Sequence, residues 1–405
     1  MQPIRLAVIF DQTIKSGGGY QQALNSALLT LELPKKLVEI VFFTTFKENV
    51  PILASKGIQA KIINLSFFEK IRSTLREKIV NKNFFKLIKK IEYYSPFEKK
   101  LIDNKIDLVY FISPTNLPNY LEELNYITTL WDLCHRDDVE FPEVRMNKEF
   151  ERRDQNYHKI LPRATAILVD SKLGKMNAAQ RYCIDLERIH IMPFLQAEST
   201  RYNREVNDDK NLDIHEKFKV DQYVFYPAQF WAHKNHTYIL DGLSLLEQQY
   251  NLKIAAIFSG EDKGNQKYVQ SYARKLNLED RIRFVGFVSN EEIVRLYSQS
   301  IALVMPSYFG PTNLPPLEAF QLGVPVLYSD KAGLRDQVDE AALLIDLKDP
   351  NSMALHLKSL IENKQLREKL ICAGYERLKH FEGYNRIKIL RDIIEDFWYK
   401  RSCWS

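Results

Sequence analysis

The chain of 405 residues is longer than one hydrophobic core usually supports, so its length predicts two domains. Hydrophobic residues make up 45% and charged residues 27% of the sequence, which is typical of a globular protein and argues against disorder. The net charge of +5 is modest, and no recognition motif accompanies it, so we expect no nucleic-acid partner. No apolar run approaches the roughly 18 residues of a spanning helix, and Asp11 interrupts the N-terminal apolar run too early for a signal peptide. These features predict a cytoplasmic protein.

The sequence offers no recognisable metal or redox site. Its four cysteines are scattered and form no close pair of the kind that binds zinc or makes a redox dithiol. The adjacent acidic pair Asp137 and Asp138 lies in a charged loop and is not an Asp-x-Asp pair at a strand end. We therefore expect no metal ion and no cofactor.

The first half of the chain alternates between short apolar runs and charged stretches with helical spacing. IRLAVIF (Ile4 to Phe10) reads as a buried parallel strand, and similar runs recur at VEIVFFTTF, QAKIINL, IDLVYFIS, YITTLWD and ATAILVDS. Strands alternating with helices predict a doubly wound α/β domain, which we assign to residues 1–200.

A basic stretch interrupts this first half. Between Lys70 and Lys105 there are eleven basic residues and four acidic ones, and apolar residues recur among them at near-helical spacing. Such a helix suits the surface of an anionic membrane, as expected of a protein peripheral to the inner face. A solvated helix packed on its own domain has the same pattern, so both interpretations stay open.

The second half repeats the α/β alternation after a polar linker. The segment from Gln196 to Phe218 has no sustained apolar period, and strand-like runs resume at YVFYPAQ, KIAAIFSG, IRFVGF, IALVMPS, VPVLYSD and ALLID. We assign residues 201–384 to a second α/β domain. Residues 385–405 read as an amphipathic helix, with apolar side chains on one stripe at Ile387, Leu390, Ile393, Ile394 and Phe397.

Two loops after predicted strands carry candidate phosphate-binding groups. Gly17, Gly18 and Gly19 lie between the first strand and the first helix, where backbone N–H groups can approach an anion. The spacing is not the dinucleotide fingerprint, and a simple tight turn is the alternative. In the second domain, Lys234 lies between the strand at Tyr226 and the helix that follows, where it can meet a diphosphate; a solvated surface lysine is the alternative.

A third loop precedes a helix at SYFGPTNLPPLEAF. Residues 311–314 (Pro311, Thr312, Asn313 and Leu314) predict a turn, and Pro315 and Pro316 are tolerated in the first turn of the helix. The backbone amides of this turn are candidates for binding a phosphate. Glu318, one turn into the helix, is suited to accept hydrogen bonds from two ribose hydroxyls, although a solvated helical glutamate has the same signature.

This combination resembles the retaining nucleotide-sugar glycosyltransferases of family 4, which have the GT-B fold. The resemblance spans most of the chain, through the glycine loop, ITTLWDLCHRDDVEFPE, QFWAHKN, FVGFVSNEEIVRLY and, most specifically, MPSYFGPTNLPPLEAFQLGVPVL. It implies two Rossmann-like domains facing each other across a cleft, with a C-terminal helix crossing back to the N-terminal domain. It also implies that the first domain binds the acceptor and the second the donor.

The resemblance implies roles for individual residues. Lys234, with help from His233, would neutralise the donor diphosphate, and Glu318 would hold the ribose. A nucleobase pocket would form near Phe287. Independently of the resemblance, Gly260 ends another predicted strand, at FSGEDKG, and is expected where the strand ends converge. Asp132 and His135 belong to the loop that joins the domains, where the family tends to have a histidine before the aspartate and this chain has Trp131. His135 is either a stand-in for that histidine or an ordinary core or surface residue.

Two departures from the family pattern affect the donor site. The family has two glutamates with seven residues between them; Glu318 matches the second, and the first falls on Gly310. The family's arginine, five residues before the lysine, falls on Gln229. Thr312 or Asn313 would then supply the missing sugar contact, and Lys234 would carry more of the charge.

The resulting hypothesis is a retaining, metal-independent glycosyltransferase that moves a sugar from a UDP- or GDP-sugar to a glycan or lipid-linked acceptor. Bacterial surface polysaccharide biosynthesis is the expected setting, by analogy. The two departures leave a second hypothesis open, a catalytically silent sugar-nucleotide-binding protein or the partner subunit of an active transferase. A non-hydrolysing epimerase would need positioned acid and base groups, and a nicotinamide dehydrogenase an acidic ribose anchor, neither of which is recognisable here.

Overall fold

The computed structural model describes residues 2–13, 17–63, 69, 94–196, 213–310 and 312–404. Most of the basic stretch from Lys70 to Lys105, most of the predicted linker and Pro311 lie outside these residues. The chain divides into two compact units. Unit 1 comprises Met1–Asp132, Glu151–Pro193 and Asn385–Ser405, and unit 2 comprises Leu133–Phe150 and Phe194–Tyr384.

The strands and helices are numbered here in chain order. The strands are β1 (Ile4–Phe10), β2 (Val38–Thr44), β3 (Ala60–Ile62), β4 (Leu108–Phe111), β5 (Asn125–Leu130), β6 (Ala166–Val169), β7 (Ile189–Ile191), β8 (Tyr223–Pro227), β9 (Ala255–Ser259), β10 (Ile282–Gly286), β11 (Ala302–Met305), β12 (Val326–Ser329) and β13 (Leu343–Ile345). The helices are α1 (Gly18–Thr30), α2 (Asn49–Ser55), α3 (Pro96–Asp103), α4 (Cys134–Asp137), α5 (Pro142–Arg145), α6 (Glu149–Ile160), α7 (Lys172–Tyr182), α8 (Ile214–Phe218), α9 (His236–Tyr250), α10 (Gln266–Lys275), α11 (Asn290–Ser298), α12 (Leu314–Gln321), α13 (Leu334–Val338), α14 (Pro350–Glu362), α15 (Lys364–Glu382) and α16 (Arg386–Arg401).

Unit 1 is built on a parallel sheet of seven strands in the order β3-β2-β1-β4-β5-β6-β7. Apart from Arg5 in β1, the strands β1, β4 and β6 are buried along their whole length, which is why they appear in the sequence as nearly continuous apolar runs. Leu390, Ile394 and Phe397 of α16 join the core that β1 forms with α1. The predicted apolar stripe of this last helix is therefore its buried face.

Unit 2 is built on a parallel sheet of six strands in the order β10-β9-β8-β11-β12-β13. In each unit the first strand lies inside the sheet. The next two strands are added on one side of it, and the chain then crosses over and adds the remaining strands on the other side. This is the doubly wound Rossmann topology. The prediction of two doubly wound α/β domains is confirmed. In unit 2 the reversal lies between β8 and β11, where a doubly wound sheet opens a crevice at the carboxyl ends of its strands.

The chain path differs from the sequence prediction in two places. The structure assigns Leu133–Phe150 to unit 2, although the predicted first domain, residues 1–200, includes this segment. The last part of the predicted linker is helical, because Asp213 caps α8 by accepting hydrogen bonds from the amides of His215 and Glu216. The predicted linker therefore includes a short helix at Ile214–Phe218, which its polar sequence did not indicate.

In the part of the chain that the structure describes, none of the helices combines the length and the apolar character needed to cross a bilayer.

Candidate functional site

The loops that follow β8 and β11 meet at the point where the strand order of unit 2 reverses. The amide N–H of Tyr308, after β11, donates a hydrogen bond to the carbonyl oxygen of His233, after β8, over 2.9 Å. The rings of His233 and Phe309 stack with centroids 4.0 Å apart. Both loops predicted to contact the diphosphate are thus joined by their backbones at the switch point.

The loop after β8 holds Lys234 in a defined turn. Residues Ala232–Lys234 form a 3-10 turn, and Asn235 ends it in the left-handed conformation before α9 begins at His236. The hydroxyl of Tyr226 donates to the carbonyl oxygen of Lys234 over 3.0 Å. The backbone of Lys234 is therefore anchored to β8, and its side chain is half-buried.

Two neighbours of Lys234, Gln229 and His236, contribute no positive charge. Gln229, where the family has arginine, accepts a hydrogen bond from the indole of Trp231 over 3.1 Å through its side-chain oxygen. His236 is buried and stacks on Phe230, with ring centroids 4.4 Å apart. Burial lowers the pKa of His236 to about 3, so this imidazole is neutral at physiological pH.

The turn before α12 is fixed by a network of side-chain amides. The backbone N–H of Asn313 donates to the side-chain oxygen of Gln337 over 2.9 Å, and the side-chain nitrogen of Gln337 donates to the carbonyl of Asn313 over 2.6 Å. The side chain of Asn313 also donates to the hydroxyl of Tyr328 over 2.7 Å. The amide of Asn313, predicted to face a phosphate, is therefore engaged by Gln337, which the sequence did not indicate. Leu314 begins α12 as predicted, and the side chain of Thr312 is buried.

The backbone at Gly310 explains why no glutamate stands there. Gly310 has a φ of 99°, a conformation that residues with side chains rarely adopt. A Cβ atom at this position would lie 2.9 Å from the carbonyl oxygen of Thr312. The N–H of Gly310 donates to the sulfur of Cys134 over 3.0 Å. The turn as built leaves no place for the family's first glutamate.

Glu318 lies on the buried side of α12. It accepts a hydrogen bond from the hydroxyl of Tyr297, in α11, over 2.9 Å. Burial raises the pKa of Glu318 to about 7, although the hydrogen bond from Tyr297 acts in the opposite direction. A buried carboxyl group held by one phenol is available to accept hydroxyl hydrogen bonds from a ligand, as the ribose prediction requires.

The ends of β9 and β10 border the same edge of the sheet. A Cβ atom at Gly260 would lie 2.4 Å from the carbonyl oxygen of Ala228, so only glycine allows the chain after β9 to pass so close to β8. The N–H of Gly260 donates to the carbonyl of Gly286, at the end of β10, over 2.8 Å. Phe287 follows with 82% of its surface exposed.

The segment Leu133–Phe150 packs on the loops after β8, β11 and β12 through Glu143, Phe141 and Asp138. Glu143 accepts a hydrogen bond from the backbone N–H of His233 over 2.9 Å and also bonds the Nδ1 atom of that ring. Asp138 forms an ion pair with Lys331, whose ammonium donates to the carbonyl of Tyr308 over 2.9 Å. The rings of Phe141 and Tyr308 pack together with their centroids 5.2 Å apart. Sequence reasoning missed Glu143 and Lys331, because no motif links them to the loop that they contact.

The remaining predicted residues lie at other positions. Gly17 caps α1, Gly18 and Gly19 form its first turn, and a Cβ atom on Gly19 would lie 3.0 Å from the ring of Trp131. Asp132, in unit 1, forms an ion pair with Arg153 over 2.7 Å. His135, in unit 2, is fully buried, with its ring 5.6 Å from that of Phe150. Within the described ranges, no group of three or more His, Cys, Asp or Glu side chains is arranged to hold a metal ion.

Residues 207–377 match the family described as glycosyl transferases group 1. The O-antigen chain mannosyltransferase B of Escherichia coli is 24% identical over 281 residues, which are 69% of this chain and 72% of that protein. The O-antigen chain mannosyltransferase RfbU of Salmonella typhimurium is 27% identical over 201 residues, 49% of this chain and 51% of that protein. The matched region thus spans only about half of RfbU.

A solved structure of HepE from Anabaena in complex with UDP-glucose covers 98% of this chain and 100% of its own, with a TM-score of 0.66 and 14% identity. At this identity the likeness concerns the fold alone. The GT-B fold class predicted from the sequence is confirmed. The resemblance to group 1 glycosyltransferases is also confirmed, while the narrower assignment to family 4 stays a prediction.

Replacing Gly310 should test whether the turn excludes a side chain. We expect Gly310→Ala to lower the free energy of unfolding by about 1–3 kcal/mol, because a strained φ and a close contact with Thr312 act together. Gly264→Ala is the matched control, since Gly264 has a φ of 102° and no atom within 4 Å of an added Cβ. Chemical denaturation measures both. Equal losses at the two positions would mean that Gly310 has room for a side chain.

Glu318 should make the stability of the protein depend on pH. Its pKa is raised from 4.5 to about 7, so the unfolded state releases the proton first and the folded state loses stability as pH rises between these values. Glu318→Gln should therefore increase the free energy of unfolding by up to about 3 kcal/mol at about pH 8, with no gain below about pH 4.5. Glu340→Gln, on an exposed side chain, is the control. A gain that is independent of pH would contradict the assignment.

Proposed function

Because residues 207–377 match the family described as glycosyl transferases group 1, we propose that this protein transfers a sugar from a nucleoside-diphosphate sugar to a glycan or lipid-linked acceptor, with retention of configuration. The observation that carries the proposal is the backbone hydrogen bond of 2.9 Å between Tyr308 and His233. It joins the two donor loops where a Rossmann-type sheet receives its nucleotide.

The chemistry that this edge must perform is the stabilisation of a leaving diphosphate. As the bond between sugar and phosphate breaks, negative charge grows on the diphosphate, and preorganised cations and amides lower the barrier. Lys234 is the principal cation for this role, since Gln229 supplies none. The N-terminus of α12 adds a favourable field. Pro315 and Pro316 have no N–H group, so the amide of Leu314 is the backbone donor in the first turn of this helix.

Glu318 is proposed to bind the ribose of the donor. A ribose offers two neighbouring hydroxyl groups, and an ionised carboxylate accepts both more strongly than a neutral group does. The raised pKa of Glu318 means that the donor would bind best when the group has lost its proton, above about pH 7. The two hydroxyls would replace the water that burial withholds from this carboxylate.

Retention and metal independence follow from the family resemblance rather than from this geometry. The acceptor hydroxyl would attack from the face that the phosphate leaves, and a phosphate oxygen would take its proton, so that no side-chain base is required. The two O-antigen mannosyltransferase relatives support a role in the synthesis of bacterial surface polysaccharide. A mannosyl donor is the first to test, and the UDP-glucose complex of HepE makes UDP-sugars the second.

Replacing Lys234 tests the central assignment. Thermal shift with a panel of UDP- and GDP-sugars first identifies the donor, since a bound ligand raises the melting temperature by mass action. Transfer to lipid and glycan extracts is then assayed with and without EDTA. We expect Lys234→Ala to lower turnover by about a hundredfold or more, on the scale of one preorganised donor.

Lys253→Ala is the control for this experiment, because that lysine lies outside the switch point and is exposed. Near-normal turnover of Lys234→Ala would contradict the role of the lysine. Donor binding without transfer to any extract would favour a silent sugar-nucleotide-binding protein instead.

The basic stretch between Lys70 and Lys105 supports contact with an anionic membrane, where a lipid-linked acceptor would be reached. We expect the protein to float with vesicles that contain anionic phosphatidylglycerol at low salt. It should remain at the bottom of the gradient with neutral phosphatidylcholine vesicles, or at high salt, where the attraction is screened. Equal behaviour with both kinds of vesicle would rule out an electrostatic membrane contact.

A further inference from the structure

Two contacts, one with Phe309 and one with Glu143, hold the side chain of His233 in place. Its ring stacks on Phe309 with an interplanar angle of 9°. One oxygen of Glu143 accepts its backbone N–H over 2.9 Å and bonds its Nδ1 atom. The side chains of His233 and Glu143 each keep only 11% of their surface exposed. The contact is therefore largely shielded from water.

The charge of Glu143 determines which form of the ring it favours. Burial acts to raise the pKa of Glu143, but the hydrogen bonds from His233 outweigh it and hold the pKa below the usual value. Glu143 is thus a carboxylate at neutral pH. A carboxylate accepts hydrogen bonds only, so Nδ1 carries a proton, and a second proton at Nε2 would make the ring an imidazolium.

Other charged groups around His233 act in both directions. Lys234 in the same loop opposes a positive charge on the ring. Beyond Tyr308, the ion pair of Lys331 with Asp138 largely cancels itself. Burial raises the pKa of Tyr308, and burial lowers that of His236, so both of these side chains are neutral. Glu143 is a carboxylate in direct contact with the ring.

We propose that Glu143 is a positioning residue that keeps His233 in its charged form, so that an imidazolium supplies the positive charge that Gln229 lacks at the donor diphosphate. The inference rests on the proposed function. It extends the donor site to a side chain from Leu133–Phe150, a segment that lies about ninety residues before His233 in the chain.

The protonation of His233 can be measured without any ligand. Histidine labelled with carbon-13 at Cε1 is titrated by NMR, and the signal of His233 is assigned by its loss in His233→Gln. We expect the pKa of His233 in the unaltered protein to lie about one unit or more above its ordinary value of about 6.5. In Glu143→Gln, which keeps the shape of the side chain, it should fall by about one unit or more. A His233 that titrates at or below about 6.5 in the unaltered protein would overturn the proposal.

Donor binding provides the second readout. UDP-glucose and GDP-mannose suit this purpose, because both phosphates are esterified and the ligand keeps its charge across the pH range used. For whichever of the two binds, we expect Glu143→Gln to raise the Kd about tenfold at about pH 8, and to leave it within about twofold at about pH 5.5, where the ring is protonated unaided. Glu140→Gln, an exposed carboxylate of the same segment, should change neither value.

The outcomes separate this inference from the proposed function. A loss of affinity in Glu143→Gln that is equal at both pH values would indicate a purely structural role and would overturn the inference. If neither nucleotide sugar binds the unaltered protein at any pH, the proposed donor class fails, and the NMR titration still decides whether Glu143 keeps His233 charged.

Discussion

The edge of unit 2 that we propose binds the donor depends on one backbone hydrogen bond, from the amide of Tyr308 to the carbonyl of His233. It connects two loops that are about seventy residues apart in the chain, with β9 and β10 between them in sequence, although β8 and β11 are neighbours in the sheet. The bond is between main-chain atoms, so it fixes the distance between the loop of Lys234 and the loop before α12 independently of the side chains nearby. The stacking of His233 on Phe309 then reinforces the same approach with apolar contact.

Features that are local in the sequence could be predicted from it. Continuous apolar runs indicated β1 and β11, and the prolines after Leu314 indicated the start of α12, because strand burial and helix geometry leave direct marks on neighbouring residues. The contact of Glu143 with His233 could not be predicted, because the two residues are ninety positions apart and no sequence motif links them. Gly310 was read as a departure, and its positive φ supplies the physical reason.

If Glu318 binds the ribose as proposed, its burial sets stability against ligand binding. Burial beside Tyr297 keeps its carboxyl group in a poorly solvated position, which disfavours the ionised form in the empty protein. A ribose would offer the hydrogen bonds that water cannot. Binding sites commonly lower the stability of the unliganded protein, because their polar groups are arranged to interact with the ligand.

The discontinuous path of unit 2 has a consequence for dissecting this protein. A fragment cut at the linker, from residue 201 to residue 384, would lack Leu133–Phe150. Its aromatic surface around Tyr308 and Phe309 would lose the covering ring of Phe141, and Lys331 would lose its ion pair with Asp138. During synthesis, this segment leaves the ribosome long before the strands on which it packs. A fragment that keeps unit 2 complete must therefore begin at or before Leu133, and it then also carries part of unit 1.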